Sequence, residues 1–234
     1  MTNAEATWAI LADLHGNVVA LDAILDECAA EGIDRFILPG DLAWGPDTRA
    51  VVEKIVALGD RAIVVRGNAD REVADPETLD VPDLVASTEW CSARLTHAQR
   101  EWLRALPLTA VLEVGGLGEV LICHGTPDSD TGRLRPDIEP DSAEPILAGV
   151  IQPVVICGHS HVRFDLVIGR HRVVNPGSVG LHYGQPDAQW ATIGPDGVRM
   201  RTTAYDLEAV ATAVERSGNP DADRFAAFFR DPVG

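Results

Sequence analysis

The chain has 234 residues, 46% of them hydrophobic, and a formal net charge of -17. That is the length of one large domain with enough apolar material for a core, which excludes a disordered chain. The acidic balance excludes a general affinity for nucleic acid or an anionic membrane, since both need basic surface.

Residues 8–11 (WAIL) form a continuous apolar run and are expected to be a buried strand. A helix over about 18–30 follows, because Leu21, Ile24, Leu25 and Cys28 recur at helical spacing and Gly32 stops it. Residues 35–38 (RFIL) are a second strand, ended by Pro39-Gly40. A second helix spans about 48–58, with Val51, Val52, Ile55 and Val56 on one face. Residues 62–65 (AIVV) are a third strand. Strand, helix, strand, helix, strand predicts parallel strands in one sheet.

Residues 71–107 break this rhythm and are expected to be a helical, cap-like insertion. It either covers the site or packs away from it. One helix is expected over about 84–95. Thr96 and Gln99 make a capping box for a second, ending near 106. Beyond Pro107 the pattern turns to strands: LTAVLEV and EVLIC across GGLG, then PVVIC, then FDLVIG with HRVVNPG, then WATIG with VRMRTTA. This half is expected to be mainly antiparallel. A long loop rich in Pro, Asp and Gly follows His124 and carries Arg133 and Arg135. The tail, 205–234, is expected to be helical. With no repeat and no linker, residues 1–234 are read as a single domain of α/β class. Its expected form is a four-layer α-β-β-α sandwich of two mixed sheets flanked by helices, with the small helical insertion.

Cys28, Cys91, Cys123 and Cys157 form no CxxC pair and are expected to be buried thiols. The N-terminus lacks a basic region followed by a long apolar stretch, and no apolar run approaches roughly 18 residues. A cytoplasmic protein without a membrane span is the expectation.

Chemistry-bearing residues sit where expected strands end: Asp13 and His15 in ADLHGN, Asp41 in PGD, Asn68 in RGNAD, His124 in CHG, His159 and His161 in CGHSH. Each alone has an ordinary structural explanation, an N-cap for an acid or a satisfied core imidazole. Their number and type argue for more. All seven offer oxygen or nitrogen, which suits manganese, iron, zinc, cobalt or nickel better than a thiolate site would. Seven groups exceed the needs of one catalytic ion with open positions. They fit two divalent or trivalent ions about 3.5–4 Å apart sharing a carboxylate. Such ions also reverse the local charge, which an acidic chain needs if it is to bind a phosphorylated molecule.

The set DLHGN, GD, GNAD, HG and GHSH resembles the five motifs of the calcineurin-like metallophosphoesterases. NPGS at 175–178 is similar to a segment of their smaller bacterial, phosphodiesterase-like branch. The resemblance implies one metal held by Asp13, His15, Asp41 and His161, and a second by Asp41, Asn68, His124 and His159, with Asp41 bridging. Manganese heads the list of ions. Asp41, Asn68 and His124 are then implied as catalytic as well as ligating. The sequence departs from the family in one place. Many members have a histidine after the asparagine of the third motif, where this chain has Ala69. The general acid is left unassigned, with His182 or Tyr183 as candidates beside a metal-bound water.

The implied activity is hydrolysis of a small phosphorylated molecule (a phosphodiester, nucleotide or dinucleoside polyphosphate) by a metal-activated bridging water. A protein Ser/Thr phosphatase and a non-catalytic protein-binding scaffold are the alternatives. Loss of ligands would mark the scaffold, and all seven positions are intact. Asn17 is read as a phosphate contact or a helix cap, Arg133 and Arg135 as phosphate grips or solvated loop residues. Asp70 is read as a support for the ligands or an N-cap, Asp128 as a contact for a substrate hydroxyl or a turn residue, Trp44 as a stacking face or a packing residue. No oligomeric state is implied.

Overall fold

The computed structural model describes residues 5–79, 81–181 and 183–231. Strand β1 (Trp8–Ile10) lies at the middle of the first sheet. Trp8 and Ile10 belong to the core between the two sheets, while Ala9 and Leu11 belong to the core beneath the helices. A strand buried on both faces has no polar side, which is why WAIL reads as an unbroken apolar run.

Helices α1 (Val18–Ala30) and α2 (Thr48–Leu58) connect β1 to β2 (Arg35–Leu38) and β2 to β3 (Ala62–Val64), and all three strands run parallel. On the other side of β1, β9 (Ala188–Gly194) pairs antiparallel, followed by β10 (Gly197–Thr203), giving the order β10-β9-β1-β2-β3. The second sheet has the order β4-β5-β6-β8-β7, from β4 (Thr109–Val114), β5 (Gly118–Cys123), β6 (Val154–Ile156), β7 (Phe164–Ile168) and β8 (His171–Asn175). Ile10, Ile37 and Ile193 of the first sheet meet Ile122 and Ile156 of the second. The far face of the second sheet is covered by the loop after His124 and by α6 (Pro140–Ile146), through Leu134, Ala143 and Leu147. Helices therefore flank two mixed sheets, as expected, although one helical layer is thin.

Three details differ from the sequence expectation. First, β5, β6 and β8 are parallel, a run of parallel pairing within a half whose other strand pairs are antiparallel. Second, the β9–β10 hairpin joins the first sheet. Every residue of β9 is buried, so it needs a partner on each edge and both faces covered, and β1 supplies the missing edge. Third, the tail is two helices, α7 (Leu207–Ser217) and α8 (Ala222–Arg230), separated at Gly218, whose φ of 75° is left-handed. Glycine adopts that conformation without the clash a Cβ would bring. The insertion holds α3 (Asn68–Ala74), α4 (Val85–Arg94) and α5 (His97–Ala105). Thr96 and Gln99 do form the reciprocal capping box at α5. Helix α4 packs on α2 and α3, and α5 packs on α3. Among the described residues no helix is long and apolar enough to cross a membrane.

Candidate metal centre

The loops after β1, β2, β3, β5 and β6 meet at one place. Asp13, His15, Asp41 and His161 bring one donor atom each within 4.8 Å of one another, and so do Asp41, His124 and His159. The chain bends hard to achieve this. Among the described residues, six non-glycine residues have positive φ: Asp13, His15, Asp41, His159 and His161, at 43–63°, and Trp44 beside them at 66°. Left-handed backbone is costly for residues with a Cβ and persists where the surroundings over-determine it. Gly67 serves a close approach: a Cβ there would lie 2.1 Å from Asp41 Oδ1.

Hydrogen bonds fix the direction of three imidazoles. Nδ1 of His124 lies 2.7 Å from Pro39 O, Nδ1 of His161 2.5 Å from Leu181 O, and Nδ1 of His15 3.3 Å from Trp44 O. A carbonyl only accepts, so each Nδ1 carries a proton and Nε2 is the nitrogen left to face the cluster. Those Nε2 atoms turn inward. His15 Nε2 is 3.0 Å from His161 Nε2 and 3.5 Å from Asp41 Oδ2. His124 Nε2 is 3.3 Å from both Asp41 Oδ2 and Asn68 Oδ1, and His161 Nε2 is 3.3 Å from Asp13 Oδ1. Ring nitrogens and carboxylate oxygens converging on one place, with each Nδ1 held by a carbonyl, suit a cation that would take the place of the Nε2 protons. His159 differs: its Nε2 accepts from Arg133 Nε at 3.4 Å, and no backbone carbonyl holds its Nδ1 among the described residues.

Burial opposes charge on all four rings. It takes His15 down to about 4 and lowers His159, where the neighbouring His124 adds to the effect. Asp41 outweighs burial at His124 and holds it at about 10, and Asp13 similarly raises His161. Asp41 itself stays below the ordinary carboxylate range despite burial, through the His124 charge and hydrogen bond.

Two further groups hold the loops. The buried Asp70 carboxylate accepts four backbone N–H groups: Asp41 and Gly67 on Oδ2, Leu42 and Ala43 on Oδ1, at 2.9–3.0 Å. Burial and the Asp41 charge push its pKa up to about 7, against the amides that favour the ionised form. Asp70 thus supports the second motif while also reaching back to the first residue before α3. NPGS closes the opposite side. Asn175 Nδ2 donates to Gly158 O at 2.7 Å, and Ser178 Oγ donates to Asp13 O at 2.9 Å, tying the last motif to the first.

A cavity of about 510 Å³ opens over the cluster, within the range of small-molecule sites. Arg133 and Arg135 line it, as do Trp44 and Tyr183. Asn17 does not. Its Oδ1 caps α1 through Ala20 N at 3.0 Å, and its Nδ2 lies 3.4 Å from Gly180 O. Asp128 is also absent from the lining and accepts from Thr126 Oγ1 at 2.8 Å, as a turn residue does. Trp44 both packs and lines, edge-on to His15 and to Phe225 of α8. His182 lies outside the described residues. Of the insertion, Glu72 and Leu84 reach the cavity, so it forms part of one wall. Sequence reasoning missed Glu72, whose carboxylate accepts from Asn68 Nδ2 at 3.4 Å, and Arg224 of α8. The i to i+4 spacing of Asn68 and Glu72 was a usable signal for the first; none existed for the second.

The calcineurin-like phosphoesterase superfamily domain matches this chain over residues 7–194. The chain belongs to that superfamily. Its fold is similar to that of a hypothetical protein from Pyrococcus horikoshii, at 26% identity and a TM-score of 0.82, covering 96% of this chain and 97% of that one. It is also similar to a metallophosphoesterase from Sphaerobacter thermophilus, at 23% identity and a TM-score of 0.77, covering 98% and 100% of the two chains. In sequence it is 25% identical to an uncharacterized protein of Methanocaldococcus jannaschii over 190 residues, 74% of this chain and 75% of the other. The superfamily match ends before α7 and α8, the helices that carry Arg224 and the packing of Trp44.

Proposed function

We propose that this calcineurin-like phosphoesterase is an active, dinuclear-metal-dependent hydrolase of small phosphorylated molecules. One observation carries the reading: three imidazoles are fixed by backbone carbonyls so that their Nε2 atoms face Asp13, Asp41 and Asn68. Asp13, His15, Asp41 and His161 would hold one ion, and Asp41, Asn68, His124 and His159 the other, with Asp41 shared. Oxygen and nitrogen donors favour manganese, with iron, zinc, cobalt or nickel as alternatives. Bound ions supply Lewis acidity and a nucleophile at neutral pH.

The chain's own residues do the remaining work. Glu72 accepts from the Asn68 amide and so keeps the Asn68 oxygen turned toward His124. Arg133, beside His159, is placed to meet phosphoryl oxygens. At Ala69 the side chain brings no proton donor, and its backbone N–H donates to Asp41 Oδ1 at 2.8 Å instead. Leaving groups that depart without protonation are therefore favoured. The partner is a small anion rather than nucleic acid, in keeping with the net charge of -17. Four buried free thiols fit a reducing, cytoplasmic setting.

The test is release of p-nitrophenol from bis-p-nitrophenyl phosphate with added manganese, alongside elemental analysis of the purified protein. Asp41→Asn should lower the content of both ions and the rate together. Two retained ions with a normal rate would refute the bridging role. A wild-type protein that retains no metal and turns over nothing with any divalent ion would overturn the enzyme reading in favour of a protein-binding scaffold.

A further inference from the structure

We infer that α8 completes a second anion subsite beside the metal centre, so that the substrate is a nucleotide carrying at least two phosphoryl groups. One phosphoryl lies at the metal ligands. The next is gripped by Arg133, Arg135 and Arg224, and the base rests against Tyr183. This assignment rests on the phosphoesterase reading above and narrows its substrate class.

The first support is charge. Carboxylates outnumber Lys and Arg by 36 to 19 in this chain, so a cluster of cations at one cavity stands out against its acidic surface. Arg71, Arg104, Arg172, Arg201 and Arg230 each meet a carboxylate. Three arginines nevertheless line one cavity. Arg135 shares Asp137, at 3.0 Å. Arg133 and Arg224 are exposed and meet no carboxylate among the described residues. A guanidinium fork left open at a cavity matches the oxygens of a phosphate.

The second support is how these groups are held. Arg133 and Arg135 flank Leu134, which is buried in the core under the second sheet. Arg224 precedes Phe225, which is buried with its ring centroid 5.2 Å from that of Trp44. All three positions are therefore fixed by apolar anchors next to them rather than carried on free loops. Size and shape agree. A cavity of about 510 Å³ offers more room than a single phosphoryl group occupies. Tyr183 stacks on His161 at 5.7 Å, is steadied edge-on by Phe228 of α8, and is still 69% exposed. An exposed ring beside a phosphate site is a stacking surface for a planar base. Among the described residues the acids on this cavity are Asp41 and Glu72, and Glu72 sits at Asn68 and so at the metal end. Hydrolysis of the outer phosphoryl group consumes one water: its oxygen bonds to phosphorus, the bridging P–O bond breaks, and its protons are shared between the two phosphate products and solvent.

The experiment is calorimetric binding of adenosine 5′-monophosphate and adenosine 5′-diphosphate, in manganese and again in EDTA. The wild type should prefer the diphosphate by about ten-fold, the worth of a charge-assisted contact. Arg224→Ala should remove most of that preference, Arg224→Glu should reverse it, and Arg224→Lys should restore part of it. Position 224 is exposed, so an unchanged melting temperature is expected for all three variants. Equal binding of the two nucleotides by the wild type overturns the subsite, as does a preference that survives Arg224→Ala and Arg224→Glu. Turnover of bis-p-nitrophenyl phosphate is scored separately. A protein that is active on it but indifferent to the second phosphate loses only this inference, whereas absent turnover and absent metal tell against the phosphoesterase itself.

Discussion

Replacing Asp70 with asparagine isolates the group that sets the second motif. The carboxylate offers two oxygens, each receiving two backbone N–H groups. Asparagine keeps the shape and loses one acceptor. Whichever way the new amide turns, its NH2 faces two buried N–H donors, either Asp41 and Gly67 or Leu42 and Ala43. A buried donor left unsatisfied costs about 1–3 kcal/mol, so two cost about 2–6 kcal/mol. With a urea slope of about 3 kcal/mol/M, the unfolding midpoint should fall by roughly 0.7–2 M. The effect should reach metal binding, because the backbone amide that Asp70 holds is that of Asp41, the residue proposed to bridge the two ions. Loss of such a supporting contact weakens metal binding by about 10–100-fold. The assays are urea unfolding followed by tryptophan fluorescence and elemental analysis after dialysis. A variant with the wild-type midpoint and full metal content would show that the four hydrogen bonds do not position the loop.

Gly67→Ala places a Cβ 2.3 Å from Asp41 N as well as against its carboxylate, so Asp41 must move. Elemental analysis should find both ions depleted, and two ions retained at wild-type affinity would contradict the shared role of Asp41. Burial pushes the thiols of Cys28 and Cys123 up to about 12 and raises Cys91 and Cys157 as well. Ellman's reagent at pH 8 should therefore find no fast-reacting thiol in the native protein and four in urea, and one rapid native thiol would refute the buried assignment.

The candidate ligands were legible because each follows a short, continuous apolar run bounded by turn residues, which reads as a strand. Asp13 after WAIL, Asp41 after RFIL and His159 after VVIC all announce themselves this way. Sheet membership was less legible. WATIG and VRMRTTA show their mutual pairing, which is local, but not that β9 lies beside β1, which depends on faces far apart in sequence. Helix α6 has no helical signature in the sequence, because it has seven residues with Pro145 inside it. The walls of the cavity were the least legible part. Arg224 looks like any exposed residue of an amphipathic helix, and only the packing of Phe225 on Trp44 brings it to the site. Asn17 was ambiguous in sequence because a helix cap and a phosphate contact call for the same amide; its hydrogen bonds decide for the cap.

The central place of β1 has a bearing on the order in which a chain made from its N-terminus can mature. β2 is available to β1 early, but the other edge stays open until β9 has been synthesised. Unpaired strand edges are templates for pairing with other chains. His15 and His161 stand 146 positions apart, so the proposed first ion cannot be enclosed by a half-made chain. Contacts of such long separation form slowly. Cation capture then falls at the close of folding, and a chain stalled before residue 161 would leave one edge of β1 unpaired while holding only part of the ligand set.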